Sequence, residues 1–202
     1  MDVCCNVVEI SDSIFLERVA DWYERTSPEN KLVVRAYIAA RDGHIDRIRD
    51  SGRPYLSHVV GVAHLVHEVG VTDARVLAAA LLHDHLEDLA EWTPARMRRE
   101  FGATVTHYVQ YVTKPREIHH VSRYEAVWRY WQQIACAPYE VQVLKLADVL
   151  NNVCELWPCS EEKRRRKLRE AHTYALPLAR RTGVFVDKLV AAMDMVETDL
   201  FQ

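Results

Sequence analysis

The chain is poor in residues that interrupt regular structure, with 6 Gly and 7 Pro among 202 residues. That scarcity excludes a collagenous or linker-built chain and argues against a loop-rich one. Its 5 cysteines are an odd number, at Cys4, Cys5, Cys136, Cys154 and Cys159. A disulfide framework is not expected in a chain of this size. Cys154 and Cys159 also lack the second spaced pair that a zinc knot requires. The thiols are therefore read as reduced and the protein as cytoplasmic. No apolar run reaches the ~18 residues of a membrane span. Asp2 and Glu9 stand where a secretory leader would carry its basic end. Positive charge is not in surplus either: 26 Lys and Arg against 29 Asp and Glu give a net charge of -3. Neither a nucleic-acid partner nor a membrane is expected.

What is present is an ordinary globular composition, 49% hydrophobic and 27% charged. The length suits one domain with a small addition. Apolar residues recur at helical spacing through most of the chain, and no strand alternation is found. The expected class is therefore all-α, with about ten helices. Residues 1–28 are read as an N-terminal helical arm and 29–202 as the main domain. Ser11, Asp12 and Ser13 offer capping chemistry before the first helix, and Asn30 before the second. Ser51 and Gly52 read as a turn, followed by a helix from Tyr55 to Val69 that Gly70 stops. Thr72 or Asp73 restarts a helix that is apolar nearly all round through Ala78, Ala79, Ala80, Leu81 and Leu82. It is expected to be the buried centre. Thr93 and Pro94 open a short helix ending at Gly102. Further helices are expected over 103–112, 121–134, 139–156, 160–179 and 184–201.

The buried helix ends in His83, Asp84, His85, Glu87 and Asp88. Ionisable groups at the end of an apolar helix are costly unless they are exposed or bound to something. Three- and four-residue spacings bring Asp84, Glu87 and Asp88 to one face, with His83 beside it. Mixed nitrogen and carboxylate ligands with spare carboxylates suit a hydrolytic metal site. Two lone polar residues within apolar runs could join them: His58 in the helix after Tyr55, and Asp148 among Leu144, Leu146, Val149 and Leu150. A hydrogen-bonded core histidine and a simple ion pair are the ordinary alternatives for these two. Two imidazoles and two carboxylates would suit Mn²⁺, Fe²⁺ or Zn²⁺ better than Ca²⁺. Phosphate charge would call on Arg49, Arg53, Lys114 and Lys145.

The order His, His-Asp, distant Asp resembles the ligand pattern of the HD phosphohydrolase superfamily. Arg49 to His58 is similar to the R-x-S-G-E-P-Y-x-x-H segment of RelA/SpoT-type alarmone hydrolase domains. Ala79 to Asp84 with Glu87-Asp88 resembles their A-A-L-L-H-D-x-x-E-D. Phe101-Gly102, Val112-Thr113-Lys114 and Lys145 to Asn152 resemble their F-G, V-T-K and K-L-A-D-R-L-H-N. The likeness runs from about residue 34 to residue 183. It implies the all-helical HD fold and one divalent ion, typically Mn²⁺, held by His58, His83, Asp84 and Asp148. It also implies Glu87 and Asp88 as the catalytic pair, Arg49 by the nucleobase and Asn152 in the nucleotide pocket. The implied reaction is hydrolysis of the 3′-pyrophosphate of guanosine tetra- or pentaphosphate. The implied partner is a small nucleotide, and self-association is left open.

The chain departs from that pattern at Asp50, Arg53, Val59, Val149, Asn151 and Cys154, where the family carries a basic residue, Glu, Pro, Arg, His and Arg. The metal set is intact while the basic shell differs. Two other readings therefore stay open: another HD-type nucleotide phosphatase such as a 5′-nucleotidase, or a regulatory or antitoxin-like module of weak turnover. Outside these motifs, the charge run from Glu161 to Lys167 is read as a solvated helix face. His64 and His67 are read as surface residues, and Trp128 and Trp131 as core. His119 and His120 are placed in a loop near the site, and His85 is expected to point away from the ion.

Overall fold

The computed structural model describes residues 12–115 and 122–200, with side chains from Ile14 at the N-terminal end. The expectations for Asp2, Cys4, Cys5, Glu9, Ser11, His119, His120 and Phe201 lie outside the described residues. Regular structure among the described residues is helical, apart from one isolated antiparallel bridge between Ile48 and Pro54.

Helix starts are set by side-chain oxygens that take otherwise orphaned N–H groups. α1 (Asp12–Trp22) is followed by α2 (Pro28–Gly43), whose cap is Ser27, accepting from the Asn30 N–H at 3.1 Å. Asn30 was the expected cap, but Pro28 suits the first helical position and moves the cap to the residue before it. Asn30 instead turns inward and donates to the Val19 carbonyl at 3.4 Å. α3 (Leu56–Glu68) stops before Gly70, whose φ of 86° suits glycine. Asp73 caps α4 (Ala74–Leu82), accepting from the Arg75 N–H at 2.8 Å. α5 (His85–Asp88) is a single turn. Thr93 caps α6 (Pro94–Val112), which kinks at Gly102 with φ 87° and continues beyond it. Ser122 caps α7 (Arg123–Ala135), and α8 (Tyr139–Cys154) follows.

The single helix expected over 160–179 is divided. α9 (Glu161–Glu170) passes through a π-helical turn (Ala171–Ala175) into α10 (Leu176–Thr182). Pro177 cannot donate back along the helix, and the widened turn lies just before it. α11 (Val186–Leu200) completes the described chain.

α4 is the expected buried centre: Val76 and every residue from Leu77 to Leu82 are fully enclosed. It packs against α2, α3, α6 and α8, and α3 packs in turn on α8. Three mutually adjacent helices thus carry the polar residues marked in the sequence. Truncating a leucine here would cost about 2–5 kcal/mol. α1 buries Phe15 and Val19, and the Phe15 ring stacks on Tyr37 at 4.3 Å.

Three smaller expectations change. His64 is half-buried and not simply a surface residue; its Nε2 is enclosed, with the Phe15 and Trp22 rings edge-on at 6.1 and 5.0 Å. Trp131 is core, but Trp128 is 46% exposed. Cys136 and Cys159 are free thiols, whereas Cys154 is disulfide-bonded.

Candidate functional site

His58 is the third residue of α3, and Asp148 lies in the middle of α8. His83 and Asp84 sit at the break between α4 and α5. Asp84 causes that break: its φ of -92° and ψ of -5° lie in the bridge region. Its carbonyl then accepts the N–H groups of Glu87 at 3.1 Å and Asp88 at 2.9 Å. Glu87 and Asp88 therefore stand on their own turn, not on the end of one continuous helix as the spacing suggests.

The four polar side chains meet at one point. His58 Nε2 lies 3.6 Å from Asp84 Oδ2 and 3.4 Å from Asp148 Oδ1. His83 Nε2 lies 3.2 Å and 3.7 Å from the same two oxygens. Each imidazole is oriented from behind. His58 Nδ1 is 2.7 Å from Asn151 Oδ1, and His83 Nδ1 is 2.7 Å from the Ala80 carbonyl. Both partners are acceptors, so each Nδ1 carries the proton and each Nε2 turns to the carboxylates. His83 Nε2 is buried without a hydrogen-bond partner. A buried, unpartnered imidazole nitrogen beside two carboxylates fits a divalent cation of intermediate softness.

The electrostatics point the same way. Burial opposes charge on His83, yet Asp84 and Asp148 outweigh it and push its pKa up to about 10. Burial also opposes ionisation of Asp84, and His83 and His58 hold it well below the usual carboxylate range. Asp148 is held low against burial by Lys145, whose own pKa is raised by Asp148 against the same penalty. The point between the four groups thus calls for positive charge, supplied either by a proton or by a cation.

Around it lies a cleft of about 230 Å³, lined by Tyr55, His58, Asp84, Glu87, Asp88, Lys114, Lys145, Asp148, Val149, Asn152, Val153, Lys167, Glu170 and Ala171. Glu87 Oε1 accepts the Lys114 backbone N–H at 2.6 Å, and Oε2 is 3.6 Å from Lys114 Nζ. Asp88 pairs with Arg47 at 2.5 Å. Lys145 Nζ bonds Asp148 Oδ2 at 2.7 Å and faces the Tyr130 ring at 5.2 Å. Asn152 donates to Asp148 Oδ1 at 2.5 Å and accepts from Arg49 at 2.9 Å. Arg49 is further held by Glu155 at 2.6 Å. His85 turns the other way, its Nε2 3.4 Å from the Ala39 carbonyl.

The structure therefore brings His58, His83, Asp84, Asp148, Glu87, Asp88, Lys114, Lys145 and Asn152 together, with Arg49 behind Asn152. Arg53 is not among the cleft residues. It closes the turn that begins at Arg49, its carbonyl accepting the Arg49 N–H at 2.9 Å. Asp50 is also outside, bonded to Lys163 and to the Cys159 thiol. Two residues were missed. Tyr55 donates to Asp84 Oδ2 at 2.5 Å. Lys167 was assigned to a solvated charge run, yet it reaches the cleft. Ala171, four residues on and apolar, was the signal that this stripe of α9 faces inward.

A helical scaffold that gathers two histidines and two aspartates from adjacent helices, three of which (His58, His83 and Asp84) could hold a metal ion, has the makings of a histidine–aspartate site. Residues 36–185 match the family model described as HD domain, and the chain belongs to that family. Among curated relatives, it is 35% identical over 177 residues to a guanosine-3′,5′-bis(diphosphate) 3′-pyrophosphohydrolase of Aquifex aeolicus, covering 88% of this chain and 25% of that protein. It is 36% identical over 165 residues to the bifunctional (p)ppGpp synthase/hydrolase SpoT of Escherichia coli, covering 78% and 23%. The chain thus spans about a quarter of the length of these relatives. Among solved structures, it superposes on a metazoan ortholog of SpoT, described as hydrolysing ppGpp, with a TM-score of 0.67 and 25% identity. That match covers 84% of this chain and 94% of the other. A Listeria monocytogenes protein shares the fold, with a TM-score of 0.56 and 23% identity over 74% of this chain and 98% of the other. Among the described residues, no helix is long and apolar enough to cross a membrane.

Proposed function

We propose that this chain is a divalent-metal-dependent phosphohydrolase that removes the 3′-pyrophosphate from guanosine tetra- or pentaphosphate. One observation carries the reading: His58, Asp84 and Asp148 line a cleft that also holds Glu87 and three lysines, and His83 Nε2 reaches the same two aspartates at 3.2 and 3.7 Å. The names of the relatives supply the substrate, and the likeness to the metazoan protein supports a domain that works without the rest of the long enzymes.

In this reading His58, His83, Asp84 and Asp148 hold one ion, Mn²⁺ by preference, with Fe²⁺ or Zn²⁺ also suiting the donors. When bound, such an ion polarises a phosphoryl oxygen and acidifies a water. Glu87 is fixed through Oε1 by the Lys114 N–H, and Oε2, beside Lys114 Nζ at 3.6 Å, takes the proton of the attacking water. The water oxygen bonds to the phosphorus on the 3′ oxygen, and the P–O3′ bond breaks. The 3′ oxygen leaves with the proton that Glu87 took, so the products are pyrophosphate and guanosine 5′-diphosphate or 5′-triphosphate. Asp88, held by Arg47, orients the turn that carries Glu87. Lys114, Lys145 and Lys167 face the phosphates. Asn152 and Arg49 form a wall whose charge Glu155 already balances, which suits the base or sugar more than a phosphate.

A second reading has its own observation. Val149 lines the cleft where the resembling family carries Arg. The change removes positive charge from the cleft, which favours a nucleotide with fewer phosphates. Purified protein with Mn²⁺ would be given guanosine 3′-diphosphate 5′-diphosphate beside a panel of nucleoside 5′-phosphates, and products read by mass. Pyrophosphate release abolished by Asp84→Ala supports the first reading. Orthophosphate from a 5′-nucleotide, equally abolished, replaces it with the second.

A further inference from the structure

We propose that Asn151 is a positioning residue for the metal centre: its side-chain oxygen keeps the His58 proton on Nδ1 and thereby presents the Nε2 lone pair to the ion. This rests on the reading of His58 as a ligand and extends it to a residue outside the cleft.

Asn151 Oδ1 lies 2.7 Å from His58 Nδ1, across 93 residues of sequence. The two residues are 3% and 1% exposed, so water does not compete for the contact. A carboxamide oxygen only accepts, so the contact requires an N–H at Nδ1. A neutral imidazole protonated there has its lone pair at Nε2, the atom that faces Asp84 and Asp148. A histidine protonated on Nε2 could not ligate through that atom.

A second feature makes room for the amide at this place. A Cβ on Gly61 would lie 2.6 Å from Asn151 Nδ2 and 3.6 Å from its Cγ. Gly61 stands one turn after His58 on α3, so the same helix presents the imidazole to one end of the amide and a side-chain-free surface to the other. Asn151 also lies three residues after Asp148 on α8 and shares its face. One face of one helix therefore supplies a carboxylate and aligns an imidazole. The need for a distant acceptor is local in origin. His83 finds the Ala80 carbonyl three residues back. The equivalent carbonyl for His58, that of Tyr55, is taken by the His58 backbone N–H at 3.0 Å.

The test uses the full chain with ¹⁵N-labelled histidine. Ring protonation and tautomers are read by long-range ¹H–¹⁵N NMR in metal-free protein over a range of pH. Mn²⁺ affinity is read by competition with a chromophoric chelator. In the wild type His58 is expected as the Nδ1–H tautomer. Asn151→Leu is expected to mix the tautomers and weaken Mn²⁺ binding about 10- to 100-fold. Asn151→Asp keeps an acceptor and is expected to restore both. A wild-type His58 protonated on Nε2 overturns the proposal, and this reading needs no variant to fold. A folded Asn151→Leu that keeps the tautomer and binds within about twofold of wild type also overturns it. Asp84→Ala separates the two layers. If it leaves Mn²⁺ affinity unchanged, the metal centre itself is wrong. If it abolishes binding while Asn151→Leu does not, only the role of Asn151 falls.

Discussion

Tyr55 donates from its phenol to Asp84 Oδ2 at 2.5 Å, joining the residue three before His58 to the aspartate after His83. The ring is held on both sides, stacked on His44 at 4.6 Å and facing the Arg47 guanidinium at 5.3 Å. Burial and the Asp84 charge raise the Tyr55 pKa far above its ordinary value, so the phenol stays a donor at every working pH. The bond fixes which Asp84 oxygen is directed at the two imidazoles. Tyr55→Phe keeps the packing and loses the donor. A hydrogen bond to a charged group is worth about 1.5–3 kcal/mol. Partial replacement by water leaves an expected loss of about tenfold in metal affinity. Chelator competition on the folded variant checks this, and an unchanged affinity would remove Tyr55 from the centre.

Metal uptake should release a proton. In the metal-free protein His83 has a pKa near 10, because Asp84 and Asp148 outweigh its burial, so it is protonated at neutral pH. A ligand must give up that proton to coordinate. About one proton per ion is therefore expected, read by calorimetry in buffers of different ionisation enthalpy. The stability of the metal-free protein has the matching sign. The raised pKa contributes stability that is complete below the unfolded value of 6.5 and lost as pH rises towards about 10. Metal binding with no buffer dependence would take His83 out of the ligand set.

The centre was legible because burial makes polar residues conspicuous. His58 and Asp148 each interrupt an apolar run, and His83 and Asp84 close the most buried helix, so each needed a partner. Tyr55 and Asn151 gave no such signal. A tyrosine beside a proline turn and one of two adjacent asparagines look ordinary, and their partners are 29 and 93 residues away. Lys167 was hidden by its charged neighbours, since a run of charge does not mark which stripe turns inward. Arg53 was a candidate for phosphate charge, but it is not among the cleft residues, and its carbonyl closes the turn onto the Arg49 N–H at 2.9 Å. Helix boundaries were legible from caps at Asp73 and Thr93. They were misread at Asn30, where Pro28 moved the cap, and at Pro177, where a missing donor widened the helix.

Lys167 should govern substrate affinity more than turnover. It lines the cleft together with His58, Asp84 and Asp148. Burial lowers its pKa, with Lys114 and Lys145 adding to the effect against Glu170. A lysine kept partly desolvated near two others gains from an arriving phosphate. Lys167→Ala is expected to raise KM about tenfold with little change in kcat. The charge is lost as pH rises through a pKa below 10.5, so wild-type KM should climb on the alkaline side before that of Lys167→Arg does. Steady-state kinetics across pH decide the matter. A kcat that falls while KM holds would place Lys167 in the chemistry of the transition state.

Acid sensitivity should come first from histidines away from the His58–His83–Asp84–Asp148 cluster. Burial, with Arg18 nearby, lowers the His64 pKa to about 4. Burial, with His44 beside it, lowers that of His85 to about 3. Each is neutral when folded but takes a proton near pH 6.5 once unfolded, so the unfolded state binds more protons as pH falls below 6.5. Stability must therefore fall from pH 6.5 towards 4. The carboxylates of Asp84 and Asp148 do not act in that window, since their losses begin only near the unfolded value of 3.8. Nor does His83, which is protonated in both states there. His64→Leu keeps an apolar body against Phe15 and Trp22 and removes one proton from the difference. The slope of stability against pH should then drop by at most about 1.4 kcal/mol per pH unit. Urea unfolding of the metal-free protein at several pH values measures it. An unchanged slope would mean that His64 is solvated in the native state and that the contact of α1 with α3 is looser than the ring distances imply.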